Sequence, residues 1–308
     1  MVNKILVTGS LGQIGSYLCE DFMKHNMDVV GLDNRSNECV ALPKELEKIT
    51  IMDDIRNKKL DSSLFDDIDA IVHCAAQISV EDSIKNPIYD AENNIIGTIN
   101  LLQIAAKLPS LKRFVYISSA ATYGNPITLP IAESHPQNPS SPYGLSKLAG
   151  ERYVNIYHTI HKLPTAVIRP FNVYSKRADP KSPYSGVISK FLYCIKENKP
   201  PLILGDGKQT RDFIHVNDVV QMIRVVLEKK EAIGETFNCG CGKPITINEL
   251  ADEIIGISGK NLKPIHTKER KGEIKHSYAD TRKTKKILKI EPKIELRDGL
   301  KELVNTNE

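Results

Sequence analysis

No CxxC pair and no disulfide framework occurs among the six cysteines, at positions 19, 39, 74, 194, 239 and 241. The one close pair, Cys239 and Cys241, reads as two reduced thiols near a strand end, and a reducing, cytoplasmic setting is expected. No apolar run reaches the length of a membrane span. The start, MVNKILVTGS, enters a strand at once, so no signal peptide is expected. Strong charge of either sign is missing: 42 Lys and Arg face 38 Asp and Glu, a formal +4. That balance argues against a nucleic-acid partner, though it suits a small anionic ligand. The eight histidines are scattered, none paired at ligand spacing with an acid in support, so no metal site is expected. Internal repeats and low-complexity segments are also absent, and so is tryptophan.

What is present is an alternation of strand-like and helix-like segments. Residues 2–8, VNKILVT, form a short β-branched run of the kind buried in parallel sheets. Gly9, Gly12 and Gly15 follow at three-residue spacing, then a helical stripe with Ile14, Leu18 and Phe22. The next strand, DVVGLD, ends at Asp33. Alone, such a glycine string is a weak signal and reads equally as a packing turn between strand and helix. Within strand, turn, helix, strand and acid it predicts a dinucleotide site. The glycines allow close backbone approach, the helix N-terminus faces a pyrophosphate, and Asp33 can accept both ribose hydroxyls of NAD. Arg35 leaves NADP open, whereas Asp33 would repel a 2′-phosphate.

Further strand signals lie at 49–56, 69–76, 113–119 and 164–170. A long amphipathic helix is expected over 93–107 and another over 143–161. Asp54 is either an acceptor for an adenine amino group or a solvated loop acid, and His73 reads as structural. The pattern predicts an α/β fold: a Rossmann-type, doubly wound parallel sheet formed by residues 1–170. A smaller α/β domain is expected from 171–308, with 212–237 returning to the first. The polar run after Pro170 reads as a loop. Helix stripes recur at 186–198 and at Val216, Val219, Val220, Ile223 and Leu227, and a capped helix is expected near 246–259.

The chemistry concentrates between Ser119 and Lys147. Tyr143 and Lys147 share one helix face at four-residue spacing. An ammonium beside a phenol favours the phenolate and draws its pKa from ~10 toward neutral. Ser119, at a strand end, can hydrogen-bond the same substrate oxygen. Together they form an acid/base device for an alcohol proton.

The motifs TGSLGQIG (8–15), HCAA (73–76), NIIGT (94–98), SSAATYG (118–124), YGLSK (143–147), RPFNVY (169–174), GDGKQTRDFIHVND (205–218) and RKGEIKHSYAD (270–280) appear in this order. The chain resembles the extended short-chain dehydrogenase/reductases over about 2–300, and among them the UDP-glucose (galactose) 4-epimerases. The resemblance implies Tyr143 as base and acid, Lys147 on the nicotinamide ribose and Ser119 on the reacting oxygen. Gly9, Gly12, Gln13, Ile14, Gly15, Asp33 and Asn34 would hold NAD, with Asp54 and Ile55 near its adenine. Ala75, Ala76, Asn94, Ser118 and Pro170 would complete that site beside Tyr143 and Lys147. Asn172, Val187 and Ser277 would contact a UDP-sugar, and Arg211 and Arg270 its diphosphate; from sequence alone a solvated surface charge is the safer reading of each arginine. The implied reaction is reversible oxidation at carbon 4 through a 4-keto sugar that turns in the cleft.

Two departures stand out. Family members usually carry Gly-Pro after Tyr174, where this chain has Ser175-Lys176. Lys176 is a candidate cation for a carboxylated sugar, which keeps a UDP-glucuronate 4-epimerase open. The position corresponding to the sugar-pocket gate is Ser277, where some members carry Tyr, so 2-acetamido sugars are expected to be accepted. Ala120-Ala121 replaces the acids that related dehydratases and decarboxylases require. A nucleotide-sugar reductase would need exchangeable NADPH. A non-catalytic NAD-binding sensor would typically have lost Tyr143 or Lys147. A homodimer formed through helices 93–107 and 143–161 is the family's implication.

Overall fold

The computed structural model describes residues 2–37, 39–60, 62–178, 186–269 and 274–306. The N-terminal elements are β1 (Lys4–Thr8), α1 (Gln13–Lys24), β2 (Asp28–Asp33), α2 (Lys44–Ile49), β3 (Thr50–Met52) and β4 (Ala70–His73). Next come α3 (Val80–Lys85), α4 (Pro87–Ala91), α5 (Gly97–Ala105), β5 (Arg113–Ile117), α6 (Pro142–His161) and β6 (Thr165–Pro170). Then follow β7 (Asn172–Tyr174), α7 (Val187–Lys196), β8 (Leu202–Leu204), β9 (Thr210–His215), α8 (Val216–Glu228) and β10 (Thr236–Cys239). The chain closes with β11 (Pro244–Thr246), α9 (Ile247–Ser258), β12 (Ile265–Thr267), β13 (His276–Ser277), α10 (Arg282–Leu288) and α11 (Leu296–Thr306).

Seven strands form one parallel sheet in the order β10-β6-β5-β4-β1-β2-β3. Alternation along β5 shows why both faces are covered. Val115 and Ile117 point into a cluster with Leu18 and Phe22 of α1 and Val219 and Ile223 of α8. Phe114 and Tyr116 point the other way, to Leu101 and Leu102 of α5 and Val154 of α6. The strand order reverses at β1, between β2 and β4, and a crevice opens there at the carboxyl ends.

A second sheet is built on β9, which pairs β7 and β13 in parallel and β11 antiparallel. Its core joins Tyr174 and Phe213 to Phe191 of α7, Leu250 of α9 and Leu300 of α11. Helix α9 begins with the expected capping box, Thr246 and Glu249.

Two local expectations are corrected. The polar run after Pro170 contains β7, because Asn172–Tyr174 finds a partner in Phe213–His215. The helix expected over 93–107 is broken, with Glu92–Ile96 forming a π-helical turn before α5. The wider turn brings both Asn93 and Asn94 into buried positions. Among the described residues, no helix is long and apolar enough to cross a membrane.

Candidate active site

The glycine turn follows β1. Gly9 has φ +68°, and a Cβ there would lie 2.7 Å from the backbone nitrogen of Ala75. A Cβ on Gly15 would lie 2.0 Å from the Gly9 carbonyl oxygen. Helix α1 can therefore start hard against β1 only with glycine at both positions. Gly12 is its N-cap, and no side chain bonds to the first turn. The N–H groups of this first turn face a crevice.

This crevice is lined by Gly9, Gly12, Gln13, Ile14 and Gly15. Asp33, Asn34, Ile55, Ala75 and Ala76 line it too, so ten of the expected cofactor residues converge there. Asp33 sits at the end of β2, where its Oδ2 accepts from the Leu11 N–H at 2.9 Å and its Oδ1 from the Arg35 N–H at 2.7 Å. These two bonds fix the carboxylate beside the turn. Asp54 is differently placed. Its carboxylate accepts from Arg56 Nε at 2.9 Å, Arg56 Nη2 at 2.6 Å and Asn34 Nδ2 at 2.7 Å. The Arg56 guanidinium holds its pKa down at about 2. Asp53, rather than Asp54, lines the crevice.

Ser119 and Tyr143 meet across the gap between β5 and α6. Ser119 caps the short 3₁₀ turn Ala120–Tyr123, its Oγ accepting from the Ala121 N–H at 3.1 Å. Ser141 caps α6, with Pro142 in its first turn. A Cβ on Gly144 would lie 2.6 Å from the Ala121 carbonyl oxygen, so the glycine after Tyr143 lets α6 approach that turn. Burial pushes the Tyr143 phenol above its ordinary pKa, the Ser119 hydroxyl pulls it down, and the Asp90 charge adds to the rise. The Tyr143 phenol thus stands above its ordinary pKa, where the four-residue spacing predicts a lowering. The buried Lys147 ammonium lies 4.4 Å from the Tyr116 ring centroid, and burial lowers its pKa to about 8.

Behind the pair lies a buried polar layer. Asn94 Nδ2 donates to Ser146 Oγ at 3.0 Å, to Asp90 Oδ1 at 3.1 Å and to the Gln77 carbonyl at 3.0 Å. Ser118 donates to Glu151, which also accepts from Arg169 Nε at 2.9 Å and Nη2 at 2.7 Å. Pro170 follows at the buried end of β6. Asp90, Ser146 and Glu151 were not anticipated. Glu151 had a signal: positions 143, 147 and 151 form one helical stripe, and a carboxylate on a buried stripe needs a partner. His73 is structural, its ring bonded to Thr8 Oγ1 at 2.8 Å and Thr98 Oγ1 at 2.9 Å.

The substrate-side candidates are gathered around β9. Asn172 Nδ2 donates to the Asp212 carbonyl at 2.9 Å, and Ser277 pairs with Arg211 in register. Arg211 is half-buried, with Nη1 donating to the Thr210 carbonyl at 2.9 Å. Val187 opens α7. Arg270 lies outside the described residues. Lys176 is paired with Glu302 at 3.0 Å.

Residues 5–240 match the model of the NAD dependent epimerase/dehydratase family. The chain belongs to this family. A Methanocaldococcus jannaschii relative, whose own name as a UDP-glucose 4-epimerase is provisional, is 42% identical over 98% of this chain and 97% of its own. The UDP-glucose 4-epimerase of Thermotoga maritima, solved with UDP-glucose, superposes with a TM-score of 0.93. It is 32% identical, and the match covers 98% of this chain and 97% of that one. The UDP-glucuronic acid 4-epimerase of Bacillus cereus, solved with UDP-glucuronic acid and NAD, has a TM-score of 0.90 and 33% identity over 98% and 99% of the two chains. This chain is an NAD-dependent epimerase. The glycine cradle, the uncapped start of α1 and the fixed Asp33 carboxylate fit NAD.

Proposed function

We propose that the protein interconverts UDP-glucose and UDP-galactose at carbon 4 and also takes the 2-acetamido sugars UDP-N-acetylglucosamine and UDP-N-acetylgalactosamine. The observation that supports this most directly is the meeting of the Ser119 hydroxyl and the Tyr143 phenol, one helical turn from buried Lys147. NAD, held by the glycine turn and Asp33, would supply the hydride acceptor and donor for reversible oxidation at carbon 4. Tyr143 accepts the hydroxyl proton at Oη and later gives it back. Ser119 Oγ donates to the same substrate oxygen. Lys147 supplies a positive charge beside the site, although burial lowers its pKa to about 8. Arg211, with Arg270, anchors the diphosphate while the 4-keto sugar turns; a planar guanidinium suits phosphate oxygens.

A second reading, a UDP-glucuronate 4-epimerase, is favoured by the likeness to the Bacillus cereus enzyme. Against it, the cation expected to meet a sugar carboxylate, Lys176, already pairs with Glu302. Reduction with exchangeable NADPH is opposed by the Asp33 carboxylate, and dehydration by Ala120 and Ala121, which move no protons.

The test uses protein purified without added NAD and incubated separately with UDP-galactose, UDP-N-acetylgalactosamine and UDP-galacturonate. Chromatography should find the 4-epimer of the first two and none of the third. Turnover of UDP-galacturonate alone would replace this reading with the second.

A homodimer belongs to the same proposal. Helix α5 buries its apolar face, but Ile84 of α3 and Ile88 of α4 are 63% and 71% exposed. Leu145, Ile156 and Ile160 of α6 are 58%, 48% and 67% exposed, and α6 packs beside both helices. A second copy would cover this face.

A further inference from the structure

The departure at Ser175-Lys176 finds its counterpart in the glycine turn. Gln13, which lines the cofactor crevice, donates from Nε2 to Ser175 Oγ at 3.1 Å, with the Val173 carbonyl at 3.5 Å. Ser175 is 4% exposed. Two residues on, the Arg177 guanidinium lies 4.2 Å from the Tyr17 ring centroid and pairs with Glu20. The Val40 N–H donates to the Arg177 carbonyl at 3.2 Å. Residues 173–177 leave β7 of the second sheet. They are therefore fastened to three successive positions along α1, at 13, 17 and 20, and to the loop beyond Asp33.

These contacts tie together the two bodies between which a dinucleotide would be held. α1 supplies one wall of the crevice through Gln13, Ile14 and Gly15. Residues 173–177 carry the end of β7 across α1, so lifting that part of the second sheet away from the crevice wall breaks their contacts with α1. Neither Ser175 nor Arg177 lines the crevice itself.

We propose that residues 173–177 are a latch that retains NAD, with Gln13, Ser175 and Arg177 as positioning residues that fasten the second sheet to α1. The latch rests on NAD occupying the crevice and not on which sugar is turned over. Part of the bound-state stability then comes from contacts the cofactor never touches. Losing one neutral hydrogen bond changes an equilibrium by about three- to tenfold, and an effect on release falls in the same range.

The test measures NAD release from loaded protein, without any sugar nucleotide, so failure of the epimerase reading leaves it intact. Loaded samples are diluted into excess ADP-ribose, and bound nicotinamide is quantified at intervals after gel filtration. Ser175→Ala should release NAD roughly three- to tenfold faster, and Arg177→Met faster still. Gln13→Leu and Ser175→Ala should be non-additive, the double variant releasing NAD no faster than Gln13→Leu alone. A purely structural role would lower the melting temperature of the NAD-free variants while leaving release far below that temperature unchanged. Wild-type release from both Ser175→Ala and Arg177→Met overturns the latch, as does full additivity of the Gln13 and Ser175 changes.

Discussion

Glu151 grips Arg169 with both carboxylate oxygens, at 2.9 and 2.7 Å, and the two side chains are 1% and 5% exposed. The Arg169 guanidinium also lies 4.9 Å from the Tyr123 ring centroid, and its Nη1 donates to Tyr123 Oη at 2.8 Å. The pair joins α6 to β6 directly behind Ser118 and next to Pro170. Removing one partner leaves a buried charge alone. Glu151→Ala should cost about 3–5 kcal/mol of stability in denaturant titrations, whereas the double change Glu151→Leu with Arg169→Met should recover much of that loss.

The Ser119–Tyr143 pair sets a pH dependence. As the proposed base, Tyr143 acts only when deprotonated, so the rate of sugar oxidation should rise with pH through the phenol's pKa. Ser119 lowers that pKa against the effect of burial. Ser119→Ala should therefore shift the rising limb of the kcat/KM profile to higher pH. Tyr143→Phe should lower kcat by roughly 10²–10⁴-fold at every pH. A Ser119→Ala profile with an unmoved limb would dissociate the serine from the phenol.

Lys147 makes the NAD-free protein pay for its catalytic charge. Its pKa falls from an ordinary 10.5 to about 8 on burial. The sign follows from the lowered value: below about pH 8 the lysine is charged in both states and its burial destabilises the fold. The penalty fades as pH rises from about 8 toward 10.5. At 1.36 kcal/mol per pKa unit it is on the order of 3 kcal/mol at neutral pH. Lys147→Met should be more stable than the native protein at pH 7, by a margin that shrinks at pH 9, while losing activity. Denaturant midpoints at the two pH values decide it.

Ser277 lies on β13 beside Arg211 of β9. If it gates the sugar pocket, Ser277→Tyr should abolish turnover of UDP-N-acetylgalactosamine and leave UDP-galactose turnover within a fewfold of native. Equal loss of both substrates would remove the gate.

The apolar face shared by α3, α4 and α6 predicts an assembly. Light scattering at micromolar concentration should give the mass of a dimer, and Ile88→Glu should shift it to a monomer.

Local patterns carried much of the architecture. Short apolar runs marked β1, β2, β4, β5 and β6, which belong to a sheet covered on both faces, and helical patterns marked α1, α6 and α8. The glycine turn was legible since steric demand leaves few alternatives at Gly9 and Gly15. Strand β7 was not, because three residues, Asn172–Tyr174, have no periodicity and become a strand only beside Phe213–His215. The π-turn at Glu92–Ile96 was hidden for a related reason: it answers to Gln77, Asp90 and Ser146, which are distant in sequence or silent in pattern. Asp54 fitted its motif, but Arg56 and Asn34 occupy its carboxylate.

The sequence by itself determined the dinucleotide turn, the alternating sheet and the Tyr143–Lys147 spacing, because these depend on steric limits and on periods within a few residues. The tertiary structure alone decided which groups tune the chemistry. Ser119 reaches Tyr143, Glu151 neutralises Arg169 and Gln13 meets Ser175 only after separate elements pack. Burial, which sets the charge state of Lys147, is a property of that packing and of no short stretch of chain.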